Sequence, residues 1–150
     1  IAQNRGADKP ERIRRGFFTG IAMAFTYGIL IGILVMIFKA QIVSLFIKGS
    51  GTAEVIREGT AYLSVMAWIY TLPGFTNGFQ GYCRGVGKIP VTILCTFIQI
   101  SLRTIGTFLL AGRIGIKGIA AASGIGWTAM LLFEVPYVLN HMKHLKQSAR

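Results

Sequence analysis

Acidic residues are the scarcest feature of this 150-residue chain: five Asp or Glu stand against sixteen Lys or Arg, a formal net charge of +11. Charged residues of both signs reach only 14%, where a soluble domain carries about 25%. That little charge excludes a globule that solvates its whole surface in water. The 53% of hydrophobic residues and the mean hydropathy of +0.57 exclude intrinsic disorder, which needs low hydrophobicity. Cysteine is nearly missing, and Cys83 and Cys95 give neither a disulfide framework nor metal-ligand spacing. The two histidines, His141 and His144, lie three apart in a basic terminus, so no metal site is expected. No Ser/His/Asp or Cys/His arrangement can be assembled. Gly85-Val86-Gly87-Lys88 lacks the preceding strand, the spacing and the following Ser or Thr of a phosphate loop. The expectation is therefore no enzyme and no covalently bound cofactor.

The sequence is rich instead in long apolar runs. Gly16 to Phe38 gives 23 residues without a charge, against the ~20 that a bilayer-spanning helix needs. A second uncharged stretch covers 59–83, with Pro73 and Gly74, Gly78 and Gly81 predicting a kink. The third, 89–111, is broken only by Arg103, and the fourth, 118–142, only by Glu134. Four such runs predict an all-α polytopic membrane protein with four transmembrane helices. The positive charges lie between these runs, so they read as topology signals rather than as a nucleic-acid surface. After the first span, Ala40, Val43, Leu45, Phe46 and Ile47 predict a short helical continuation ending at Lys48-Gly49-Ser50-Gly51, with Thr52 capping the next helix. Residues 112–117 form a tight connection, which predicts adjacent antiparallel helices.

One side of the membrane collects Arg5, Lys9, Arg12, Arg14, Arg15, Arg84, Lys88, Lys143, Lys146 and Arg150; the other collects Lys39, Lys48, Arg57, Arg113 and Lys117. By the positive-inside rule both ends of the chain are expected in the cytoplasm, with membrane lipids around the spans. The chain has no initiator Met and no signal peptide and opens in mid-sequence, so it is expected to be a piece of something longer. Gly16/Gly20 and Gly28/Gly32 set small residues on one helix face, where helices can approach closely.

Polar residues inside the spans fall on stripes. The second span carries Tyr62, Met66, Tyr70, Pro73, Asn77, Gln80 and Arg84; the third Thr92, Thr96, Gln99, Arg103 and Thr107; the fourth Ser123, Trp127, Met130, Glu134, Tyr137 and His141. Spacings of three and four place each set on one helical face. Facing lipid would be costly, so the stripes face protein or a water-filled cavity. Tyr70, Asn77, Thr96 and Gln99 are the candidate cavity-lining residues. Arg103 lies roughly 21 Å along its helix and Glu134 only about 9 Å from the end of its own. That mismatch argues against pairing the two. Glu134 is expected to meet Arg84 or Lys88, and both intramembrane charges are given structural or gating roles.

Four local patterns occur in order: Gln3-Asn4-Arg5-Gly6-Ala7-Asp8-Lys9, then Arg84-Gly85-Val86-Gly87-Lys88-Ile89-Pro90, then Arg103, then Gly115-Ile116-Lys117-Gly118-Ile119. With this hydropathy they make the chain resemble the multidrug and toxic-compound extrusion (MATE) transporters over its whole length. The resemblance implies the end of helix eight and helices nine to twelve, part of the six-helix C-terminal lobe of a twelve-helix protein. It implies a plasma-membrane antiporter that exports drugs or organic cations in exchange for Na⁺ or H⁺ by alternating access, with an N-terminal lobe as partner. Three departures stand out: Asp8 occupies a position where members often have glycine, the N-terminal lobe and its coupling carboxylate are missing, and 59–83 holds no acid. Two other readings stay open at this point: a lipid-precursor flippase of the same superfamily, and a non-transporting membrane interaction subunit.

Overall fold

Proline and glycine set most of the element boundaries. The computed structural model describes residues 1–46 and 52–148, and among them only helices occur. A one-turn helix α1 (Ala2–Gly6) turns at Asp8, which adopts a positive φ of 49°, into α2 (Pro10–Ser44). Pro10 opens α2, where its missing N–H is no loss and its fixed φ suits the helix. Then follow α3 (Thr52–Ile69), α4 (Thr71–Gly85), α5 (Ile89–Ile114) and α6 (Ile116–Ser148). Gly87 (φ 70°) turns the chain from α4 into α5, and Gly115 (φ 61°) is the whole connection between α5 and α6. Both positions require the left-handed backbone that glycine adopts freely.

The second expected span is interrupted at the expected place, although Tyr70 itself keeps right-handed helical dihedrals (φ −65°, ψ −21°). It is divided at Tyr70 into α3 and α4. The cause is Pro73, which has no N–H to offer the carbonyl four residues back, that of Ile69. Ile69 is therefore the last residue of α3, and Pro73 falls in the first turn of α4. Among the described residues, α2, α5 and α6 are long and apolar enough to cross a bilayer singly, three helices rather than four. The first span is also longer than its uncharged run: α2 holds 35 residues, about 52 Å at 1.5 Å per residue. The expected stop at 48–51 lies outside the described residues.

The single-residue turn at Gly115 packs α5 against α6 antiparallel along their length, as the short connection predicts. Small residues let the backbones close up. A Cβ on Gly126 would stand 2.8 Å from the Gln99 carbonyl oxygen, and one on Gly106 3.1 Å from the Ala122 Cβ. Helix α2 meets α3 and α4 through the second glycine pair: a Cβ on Gly28 would reach Thr71 at 3.1 Å, and one on Gly32 the Ala67 carbonyl oxygen at 2.8 Å. The first pair, Gly16 and Gly20, has nothing within 4 Å. Lys39 Nζ donates to Ser64 Oγ at 2.8 Å and ties α2 to α3.

The core sits at the basic end, where α4 turns into α5. Ile13, Phe17, Phe79, Tyr82, Cys83, Val86 and Val138 are buried there. Phe17 stands edge-on to Phe79 and to Tyr82, at 5.1 and 5.4 Å between ring centroids. Outside this core the helices leave Trp68, Phe97, Phe108 and Leu132 largely exposed. Apolar faces of that extent are what a lipid solvent covers.

Candidate functional site

Several hydroxyls in the helices satisfy themselves locally. Thr76 Oγ1 donates to the Pro73 carbonyl at 3.0 Å and Ser123 Oγ to the Ile119 carbonyl at 3.2 Å. Those groups stabilise their own helix and leave little for a solute. The remaining buried polar groups form a seam between α4, α5 and α6.

Gln80 is its centre. It is 8% exposed, and its Nε2 donates to Thr96 Oγ1 at 3.2 Å and lies 3.9 Å from the Met130 sulfur. Its Oε1 accepts from Arg84 Nη1 at 3.3 Å, one turn further along α4. An amide suits the position because it can donate to one helix while accepting from its own. The Arg84 side chain is exposed, so the chain Thr96–Gln80–Arg84 runs from the helix packing to the surface.

Glu134 lies beside this chain and is 1% exposed. Cys95 and Gln80 face its carboxyl, and Arg84 is the cation that acts on it. Neither carboxyl oxygen has a partner that satisfies hydrogen-bond geometry. The expected ion pair with Arg84 or Lys88 is therefore not made: among the described residues the salt bridges are those of Arg57 with Glu54 and Glu58. The Gln80 amide has taken the guanidinium instead. Arg103 is exposed on α5 beside Thr104, Thr107 and Phe108, and does not pair with Glu134. Thr92 Oγ1, one turn before Thr96, is also buried without a partner.

The four candidate cavity residues fall into two groups. Thr96 and Gln99 belong to the seam: Thr96 accepts from Gln80, and Gln99 is 9% exposed with its backbone against Gly126. Asn77 is exposed, its Nδ2 donating to the Pro73 carbonyl at 2.8 Å. It lines a separate shallow cavity of about 340 Å³ with Gly16, Gly20, Gly78 and Gly81. Tyr70 is 39% exposed at the break between α3 and α4. Sequence reasoning placed Gln80 on a polar stripe without singling it out, because Asn77 and Gln80 share that stripe and only packing separates them.

At the basic end the first two sequence patterns meet. A Cβ on Gly85 would stand 2.7 Å from the Ile1 side chain, and one on Gly87 3.2 Å from the Arg5 guanidinium. The two segments thus approach each other at Arg5 and Gly87, and beside them a 2.9 Å hydrogen bond joins the Tyr82 hydroxyl of α4 to His141 Nδ1 of α6.

The family model for MatE matches residues 1–109, a stretch that holds both of these patterns and Arg103. The chain belongs to the MatE family. No curated protein and no solved structure matches it. Members of the MatE family are transporters, so the apolar helices of this chain are those of a membrane transport protein. The matched residues include all of α1 to α4 and most of α5.

Proposed function

We propose that this MatE chain supplies the greater part of the C-terminal lobe of a secondary-active antiporter in the plasma membrane. Its substrates are drugs or other organic cations, and the exchanged ion is Na⁺ or H⁺. The observation that carries the reading is the MatE match across helices that bring Gln80, Thr96 and Gln99 into a buried seam. Secondary transporters place their sites near the midplane between repeats that rock against each other. One lobe therefore presents half a path. Tyr70 and Asn77 are the exposed residues that a solute meets first, and Tyr70 offers a cation an aromatic face, worth ~0.5–2 kcal/mol depending on desolvation. Thr96 and Gln99, held in the seam, become reachable when α4 and α5 part. Both ends of the chain face the cytoplasm in this reading, and the N-terminal lobe holds the coupling carboxylate of its first helix.

The test is transport by the intact transporter that contains these residues, reconstituted in liposomes. Efflux of a fluorescent organic cation that follows an imposed Na⁺ or proton gradient is the expected result. No gradient-driven efflux overturns the reading. The 150 residues alone, expressed in a drug-sensitive host, should leave tolerance unchanged; restored tolerance would refute the half-path.

A further inference from the structure

Glu134 is a fully buried carboxyl group where α4, α5 and α6 meet. Neither of its oxygens makes a hydrogen bond of good geometry, although Cys95 and Gln80 stand near it. The titratable and charged groups that face it are Cys83 and Arg84 from α4 and Cys95 from α5. From α2 the surrounding core receives Ile13 and Phe17, which are apolar. On α6 itself, His141 is two turns away and engaged with the Tyr82 hydroxyl. A bare carboxylate ion in such a place would be costly, and an enclosed acid escapes that cost by taking up a counter-charge or by carrying a proton. The adjacent cation, Arg84, is bonded to Gln80 Oε1.

Sodium does not fit the donor set. A hard cation wants several oxygen ligands together. Here the Gln80 oxygen is already used by Arg84, and two cysteine thiols and the Met130 thioether make up much of the rest. We propose that Glu134 is a proton-binding site of the C-terminal lobe, occupied in this conformation and emptied when Arg84 leaves Gln80 and turns to the carboxylate.

The step is a simple one. The O–H bond of the Glu134 carboxyl breaks, its electron pair stays on the carboxylate, and the proton passes to water at the exposed Arg84 end of the seam. The Arg84 guanidinium then neutralises the charge left behind. One hydrogen bond of 3.3 Å, between Arg84 and Gln80, holds the switch in its loaded position. Gln80 is thereby a positioning residue: its amide touches Thr96, Met130 and Arg84 and decides which partner the arginine has. As a coupling site this assignment rests on the antiport reading, but the bound proton itself does not.

Difference infrared spectroscopy on the intact transporter in lipid separates the two. Raising the pH should remove one carboxylic-acid carbonyl band in the wild type, and that band should be missing in Glu134→Gln, which is close to isosteric. Glu134→Asp should keep a band at a shifted position and thereby shows that the fold tolerates change at this site. Replacing choline by Na⁺ at constant pH should leave the band in place. In liposomes, Glu134→Gln should abolish efflux driven by a pH gradient while retaining substrate-for-substrate exchange, and Gln80→Leu should shift the pH midpoint of the band. Identical spectra for wild type and Glu134→Gln, or loss of the band on adding Na⁺, would overturn the site. If the wild type shows the band but no gradient-driven efflux, the antiport reading fails and the proton site stands.

Discussion

Replacing Gly126 by alanine should loosen the pairing of α5 with α6. The added Cβ would stand 2.8 Å from the Gln99 carbonyl oxygen, 3.3 Å from the Arg103 Cβ and 3.5 Å from the Gln99 Cγ. The nearest of these atoms is helix backbone, which cannot swing aside as a side-chain tip would. Ordinary contact needs roughly half an ångström more, so α5 and α6 must separate along the seam. Forcing one extra carbon into a packed interior costs about 1–3 kcal/mol. Helix propensity works in the other direction, since alanine is better than glycine in a helix by roughly 0.5–1 kcal/mol. The balance is a loss of about 0–2.5 kcal/mol, against a gain of roughly 0.5–1 kcal/mol where the added carbon meets nothing. Gly16→Ala and Gly20→Ala are the controls: nothing lies within 4 Å of either added carbon, so propensity alone acts and both should be neutral or slightly stabilised. Denaturant titration of the purified protein in micelles, followed by circular dichroism, measures all three. Equal midpoints for Gly126→Ala and the two controls would refute the claim that close backbone approach, rather than side-chain filling, holds α5 to α6.

Two further outcomes follow from the turns and the charges. Asp8 has a positive φ of 49°, a region that costs an L-residue roughly 1–2 kcal/mol, so Asp8→Gly should hold or raise the unfolding midpoint and Asp8→Val should lower it; the reverse order would show that the turn is not set by backbone strain. Reporter fusions after Arg150 should behave as cytoplasmic and fusions within 48–52 as external, and an external C-terminus would overturn the helix order taken from the family.

The long helices were legible because their cause is local. Uncharged runs of this length have few alternatives, although the boundaries at Pro10 and Gly115 came from the structure rather than from the runs. The Asp8 departure was legible as a pattern, and its reason is now physical: the backbone there takes the left-handed turn that glycine tolerates best. What remained hidden depends on choices between near-equal partners. Arg84 had a carboxylate and an amide within reach, and charge alone pointed to Glu134. The structure gives the arginine to Gln80, one turn away on the same helix, where the bond needs no rearrangement of α6. The division of the second span was hidden for another reason. A proline in an apolar run predicts either a bend or a break, and the outcome depends on whether neighbours hold the preceding carbonyl. Tyr70 is the single residue at this interruption and still has helical dihedrals, as its place on the stripe requires.

The division at Tyr70 also bears on how the protein enters the bilayer during synthesis. Helix α3 carries Glu54, Arg57 and Glu58, while α4 is only 15 residues long and brings Asn77, Gln80 and Arg84 with it. Among the described residues neither helix by itself is long and apolar enough to cross a membrane. Both lie against helices that are. The preceding α2 receives α3 through Gly32 and Lys39 and one side of α4 through Gly28 and Phe17, and the other side of α4 is covered when α6 arrives, 30 residues after α4 ends. Until then the nascent chain holds a polar half-helix against lipid, shielded by α2 and by whatever insertion machinery retains it. Chains terminated before α6 should therefore be cleared by membrane proteases faster than their remaining hydrophobicity would suggest.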